Sequence, residues 1–396
     1  MAAYNPPLGV LTENLNEEDD MKNKFALTSR LLRAAACGAL LALTAAPALA
    51  SAVLPPPPPP PPPTCSNGSS GSSDSSCPGT SSGGFNQAIT NAPNYQTLNI
   101  VSGAAGNFGN QLNGGTAIGP GSARFALGGE PERGAAAAGG AEKWNVWFAL
   151  SENRVAYDFQ PLRSSGHVDI LLAGVDYTWN NRLIVGAALS GERTRVGTSY
   201  NNGNFSSNGT SFAPYLAWAI DRNWVLDAAL GFGNSDIKTT DNSVAGGANG
   251  STRDRRSFAA LGLSYNRPMG KWQLTGKGQL MSAEDRISQY TLSNNTNVLG
   301  STARTTQLRI GGQAAYRTDS MFTPFAGLTY IYDIDRANQG TLSGQNAAND
   351  RDAWLLQAGV NFQSRGRLYG SLVLSTEQGR SQVKNDQVLV NLGFRF

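Results

Sequence analysis

From Lys143 to the C-terminus, apolar and polar residues alternate with a period of two, segment after segment. In Asn223 to Lys238, Trp224, Leu226, Ala228, Leu230 and Phe232 share one face, and Asp227, Gly231 and Gly233 the other. Arg182 to Val196 sets Leu183, Val185, Ala187 and Leu189 against Gly186, Ser190 and Glu192; Arg351 to Gln363 sets Trp354, Leu356, Ala358, Val360 and Phe362 against Gln357, Gly359 and Asn361. Successive side chains of an extended strand point to opposite faces, so the pattern predicts strands with one apolar side. Twelve such segments are predicted: 143–158, 166–179, 182–196, 208–220, 223–238, 253–267, 271–286, 302–317, 321–334, 351–363, 367–378 and 386–396. An even number lets an antiparallel sheet close on itself.

The connections alternate in length. Asn180-Asn181, Asp221-Arg222, Pro268 to Gly270, Thr318 to Ser320 and Ser364 to Gly366 are short and made of turn-forming residues. Between them lie Gly197 to Ser207, Thr239 to Thr252, Ile287 to Ser301 and Asp335 to Asp350, rich in Asn, Gly, Ser and Thr, with Phe159 to Ser165 and Gly379 to Asn385 as the shorter members of the set. A soluble β-sandwich also alternates along its strands. Short turns at one rim and long loops at the other are instead the pattern of a transmembrane barrel. The fold class predicted is therefore all-β, a 12-stranded antiparallel transmembrane β-barrel, with Trp179, Trp224, Trp272 and Phe322 as an aromatic girdle beside the short turns.

Composition agrees. Charged residues are 15% of the 396, against roughly 25% in soluble domains, and there are 46 glycines. Transmembrane helices of about 20 apolar residues would raise a mean hydropathy that stands at −0.29. A net charge of +3 is too small to indicate nucleic-acid binding.

The upstream residues divide into four pieces. Residues 1–20 carry Glu13, Glu17, Glu18, Asp19 and Asp20 and no Lys or Arg, the wrong sign for an export signal, and are read as a misplaced translation start. Residues 21–50 form a signal peptide: Lys22, Lys24, Arg30 and Arg33 make a basic start, Cys37 to Ala50 an apolar core, and Ala48-Leu49-Ala50 a cleavage site. Residues 51–84 are a spacer, with nine prolines from Pro55 to Pro63 spanning roughly 28 Å as polyproline II, then a Ser/Gly-rich tract. Residues 85–142 are rich in Gly, Ala and Asn without a sustained period, and are expected to be largely disordered as a short passenger or linker. Cys65 and Cys77 either close a small disulfide loop in an oxidising compartment or stand as two thiols in the Ser/Gly tract.

The chain ends DQVLVNLGFRF, with Val388, Val390, Leu392, Phe394 and Phe396 on one face of a strand. A terminal strand ending on an aromatic resembles those of bacterial outer-membrane barrels, where it closes the barrel and is read by the barrel-assembly machinery. Further upstream, WNVWFALSENRVAYD, ILLAGVDYTWNNRLIVGAALSGERT and FAPYLAWAIDRNWVLDAALGFGNSD are similar to the opening strands of autotransporter β-domains, with a Gly-x-Asp-Tyr hairpin at Gly174 to Tyr177 and a Trp-x-Leu-Asp strand at Trp224 to Asp227. The resemblance covers residues 143–396. It implies a monomeric barrel in outer-membrane lipid, delivered by periplasmic chaperones, without a cofactor or metal, that carries an N-terminal passenger through or beside its lumen and keeps a linker helix in the pore. The departure is the passenger, because residues 51–142 are too short for a long β-helix. No Asn-Asn pair occurs between 51 and 142, so the self-cleavage of some members is not expected.

His167 is the only histidine. A Ser-His hydrolase in the barrel wall would need it as base, but Val168 and Asp169 follow it where a partner serine would be sought. A polar residue at the lipid-water boundary is the simpler account, and no catalytic residue is assigned. Asp176, Glu192, Asp227, Lys277, Arg309 and Arg317 are expected to face inward, either solvating a threaded chain or pairing across a narrow lumen. Two functions follow: a translocator that anchors and exports a short N-terminal segment, or a narrow channel or adhesin barrel with a periplasmic tail.

Overall fold

A computed structural model describes residues 143–396 apart from 159–162, 181, 244, 337–340, 343–344, 347–349 and 365–367. The expected leader, spacer and linker, and the pair Cys65 and Cys77, lie outside the described residues, as do parts of the turns at Asn181 and Arg365. Twelve antiparallel strands close into one barrel. They are β1 (Trp144–Tyr157), β2 (Ser164–Asn180), β3 (Leu183–Thr198), β4 (Gly203–Ala219), β5 (Trp224–Asp241), β6 (Ala248–Met269), β7 (Trp272–Ile287), β8 (Ser301–Tyr316), β9 (Phe322–Arg336), β10 (Asp352–Gln363), β11 (Leu368–Gln378) and β12 (Val383–Arg395). Each pairs with its sequence neighbours, and β12 returns to β1 in register from Asn145↔Arg395 to Tyr157↔Val383. Closure leaves no unpaired edge, the condition for strands to cross lipid.

The outward face is apolar through the middle of the barrel: Leu171, Leu189, Phe212, Leu230, Phe232, Leu261, Leu280 and Ile310 are all exposed. At the short-turn rim the aromatics pair across strands, Trp144 with Tyr177 at 4.9 Å, Trp224 with Tyr265 at 4.8 Å and Trp272 with Tyr316 at 5.0 Å. Trp179 and Phe322 are exposed at the same rim, so the expected girdle is present and broader than its four predicted members.

Toward the other rim the strands outrun the prediction. β3 and β4 leave only residues 199–202 between them, and β5 continues to Asp241 before β6 resumes at Ala248. The stretches expected as long loops, 197–207 and 239–252, are in large part continued hairpins. Inward positions there are mixed, Phe205 and Ala248 beside Thr198 and Ser207, and Phe205 clusters with Val196, Ile237 and Ile287, while outward positions carry the exposed Asn204, Asn249 and Ser251.

Aromatic rings laid over glycines on the neighbouring strand shape the inner wall. Trp147 covers Gly174, Tyr215 covers Gly186, Phe258 covers Gly231 and Tyr369 covers Gly393; a Cβ on any of these glycines would come within 1.7–2.5 Å of the ring. Such cover compensates for the weak strand preference of glycine. At the closing seam, Tyr369 of β11 crosses Gly393 of β12 and donates its hydroxyl to Asn145 Oδ1 of β1. One side chain thus joins three strands. Gly393→Ala is expected to displace this ring and lower stability by about 1–3 kcal/mol. Gly191→Ala, where a Cβ meets open space, should leave the urea-unfolding midpoint almost unchanged, and equal midpoints for the two variants would contradict the account.

β12 begins at Val383, three residues before the predicted Asp386. Leu392, Phe394 and Phe396 are exposed on its outward face, while Leu389 and Asn391 are buried inward. Phe396 exchanges backbone hydrogen bonds with Trp144, at 3.0 and 3.1 Å. The last residue therefore pairs with the first residue of the first strand.

Candidate functional site: the barrel lumen

The inward positions mix apolar and polar side chains around the barrel. Across the seam from β11 to β2, Val373, Leu389, Trp147, Ile170 and Leu172 are buried and apolar. On β7 to β10 the inward positions carry Gln279, Gln307, Arg309, Gln357 and Asn361 beside the buried Met281, Ala283, Ala315 and Phe325. Charged residues were the ones expected in the lumen, to solvate a threaded chain or to pair across it. The apolar inward positions of β2 were hidden because the strand is apolar on both faces, with Ile170 and Leu172 inward and Leu171 outward in one unbroken run.

A buried charge cluster links β3, β6 and β7. The Arg256 side chain is 1% exposed and its Nε lies 2.6 Å from Asp254 Oδ2 and 3.2 Å from Asp285 Oδ1. Its Nη1 bonds to Glu192 Oε1. Glu192 reaches it from β3 across Gly209 on β4, where a Cβ would stand 2.6 Å from Oε1. Three carboxylates converge on one guanidinium, whose planar fork suits several carboxylates at once.

Nearer the short-turn rim a second network runs through Asp176. Its Oδ2 accepts from Tyr215 OH at 2.8 Å and Asn145 Nδ2 at 3.1 Å, and Tyr215 OH in turn accepts from Trp147 Nε1 at 2.8 Å. Toward the other rim, Arg380 binds Asp333 Oδ2 at 2.7 Å and Glu377 Oε1 at 2.8 Å, and Gln307 donates to Asp333 Oδ1 at 2.8 Å. Buried polar groups of this kind are retained when their partners are within bonding distance.

The predicted inward charges take distinct places. Glu192 belongs to the Arg256 cluster, Asp176 to the seam network, and Asp227 pairs with Lys277 at 3.2 Å. Arg309 bonds Gln307 Oε1 at 2.8 Å. Arg317 lies beyond the end of β8, where it donates to the Gly270 carbonyl at 2.9 Å. Arg256, Asp254 and Asp285 were missed, although strand parity places them opposite Leu261 and Leu280. Arg380 sits in a connection, where no period could place it. His167 faces outward on β2, half exposed, with Nδ1 3.8 Å from Glu152 Oε1.

Against known proteins, the family model for the autotransporter beta-domain matches residues 147–372, more than half of the chain. The translocator domain of the autotransporter NalP from Neisseria meningitidis is similar in structure, with a TM-score of 0.57 at 15% identity over 65% of this chain and 90% of that one. The β-domain of the Bordetella autotransporter BrkA gives a TM-score of 0.54 at 16% identity over 64% of this chain and 99% of that one. No curated protein sequence matches. Twelve closed strands, an aromatic-belted apolar exterior and this match converge on one family: the chain belongs to the autotransporter β-domains, outer-membrane translocator barrels.

Proposed function

We propose that this barrel anchors and carries to the cell surface the residues that precede β1. The observation that carries the reading is the set of buried apolar side chains on the lumen wall from β11 to β2. Val373, Leu389, Trp147, Ile170 and Leu172 would face water in an open pore, at a cost of about 25 cal/mol per Å² of apolar surface. A segment of this chain in the lumen removes that cost, and the Gly/Ala-rich stretch from Gly134 to Lys143 adjoins β1 directly.

The direction of β1 supports the same reading. It starts at the short-turn rim, the periplasmic one in outer-membrane barrels, and Lys143 O accepts there from Thr178 N at 2.8 Å. In this reading the residues before Lys143 start from that rim and pass to the surface through the lumen. In this scheme residues 21–50 direct export across the inner membrane, 51–84 form a spacer and 85–142 the passenger or linker. Val388, Val390, Leu392, Phe394 and Phe396 present the outward face of β12 to the assembly machinery, and the barrel acts as a monomer without a catalytic role for His167.

Conductance in planar bilayers separates this reading from a channel. The full chain is expected to conduct weakly, and a chain lacking residues 85–142 to conduct several-fold more. Equal conductance of the two would favour a barrel that is itself the channel.

A further inference from the structure

The outward face of β3 to β7 carries a dense row of cations just beyond the apolar band. Arg193 and Arg195 on β3, Lys238 on β5, Arg253 and Arg255 on β6 and Arg286 on β7 are all exposed on the lipid-facing parity of their strands. The carboxylates among them are fewer. Asp169 on β2 stands across from Arg193, Asp236 is 3.6 Å from Arg253, and Glu284 is 2.6 Å from Arg286. Lys238 and Arg255 form no ion pair or side-chain hydrogen bond among the described residues.

The register makes the excess unfavourable in water. Arg255 and Arg286 are direct cross-strand partners, and like charges placed so destabilise a sheet. Arg193 with Arg195, and Arg253 with Arg255, add same-face neighbours two residues apart. A shared anion removes the repulsion, and a phosphate oxygen pair matches the guanidinium fork.

Height identifies the source of the anion. Arg193 lies four residues beyond the exposed Leu189, and Lys238, Arg255 and Arg286 lie six residues from Phe232, Leu261 and Leu280. At about 3.3 Å per residue and a tilt of roughly 40°, the row stands roughly 10–15 Å outside the last apolar ring. Long cationic side chains fold back toward the interface from such positions. Across the barrel, β9 and β10 instead expose Tyr332, Ile334 and Trp354 toward this rim. Elsewhere at this rim, exposed cations face carboxylates: Arg154 stands across from Asp386, Arg304 is 3.4 Å from Asp335 and Lys384 is 3.2 Å from Asp158.

We infer that the β3 to β7 face is a binding surface for phosphorylated lipid headgroups of the outer leaflet, held between the Arg255 and Arg286 guanidinium groups and their neighbours. It is separate from the lumen and from export. The test measures binding of labelled lipopolysaccharide, intact or enzymatically dephosphorylated, to the full chain folded in a zwitterionic detergent. The wild type is expected to prefer the phosphorylated form by roughly tenfold and to lose the preference as salt rises. Arg255→Gln/Arg286→Gln should lose it with folding intact by heat-modifiable migration. Arg193→Gln/Arg195→Gln provides a second variant that decides the question if the first does not fold. Wild-type affinity in a folded double variant, equal binding of the dephosphorylated lipid, or displacement by millimolar inorganic phosphate would each overturn the inference.

Discussion

Arg256→Ala is expected to lower the unfolding free energy of the barrel by about 3–5 kcal/mol. The guanidinium is bonded to Asp254 and Asp285 and to Glu192 with its side chain 1% exposed, so its removal takes this shared cation from three buried carboxylates. The loss exceeds that of an exposed ion pair, about 0–1 kcal/mol, because water cannot replace the missing partner. Arg256→Lys keeps the charge but loses the planar fork and should fall between wild type and alanine. The urea-unfolding midpoint in detergent or lipid checks both. A midpoint for Arg256→Ala within error of the wild type would show that the cluster does not brace β3, β6 and β7.

Trp147→Ala is expected to cost a similar amount, about 3–5 kcal/mol. The indole is 2% exposed, covers Gly174 on β2 and donates to Tyr215 OH at 2.8 Å. Its loss opens a gap in the buried apolar cluster of the barrel wall and leaves the Tyr215 hydroxyl without that donor. Trp147→Phe retains ring cover but not the N–H, and should recover most of the loss, short by about 1 kcal/mol for the missing hydrogen bond. Phenylalanine as damaging as alanine would mean that the hydrogen-bond network, and not packing over Gly174, governs this part of the wall.

The strands were legible because lipid on one side enforces a strict period. Trp224 to Phe232 could be assigned outward from sequence alone, and the structure places Leu230 and Phe232 exposed and Asp227 buried. The outer ends were misjudged for a related reason. Beyond the membrane the outward face needs no apolar residue, so Asn204, Ser206 and Asn249 looked like loop although Phe205 and Ala248 still point inward. The lumen was only partly legible. Asp176, Glu192, Asp227 and Lys277 were placed by parity, but their partners depend on which strands lie two or three apart around the barrel, as Glu192 on β3 and Arg256 on β6 do. No local pattern records that distance. The terminal strand was identified by Phe396, yet its pairing with Trp144 follows only from closure.

The account stands on the direction in which the upstream residues leave β1. Its most direct test is protease shaving of intact cells that carry the full chain with an epitope inserted near Ser81. Translocation predicts loss of the epitope while the barrel itself stays intact. Protection on intact cells, with digestion only after the outer membrane is permeabilised, would place those residues in the periplasm and contradict it.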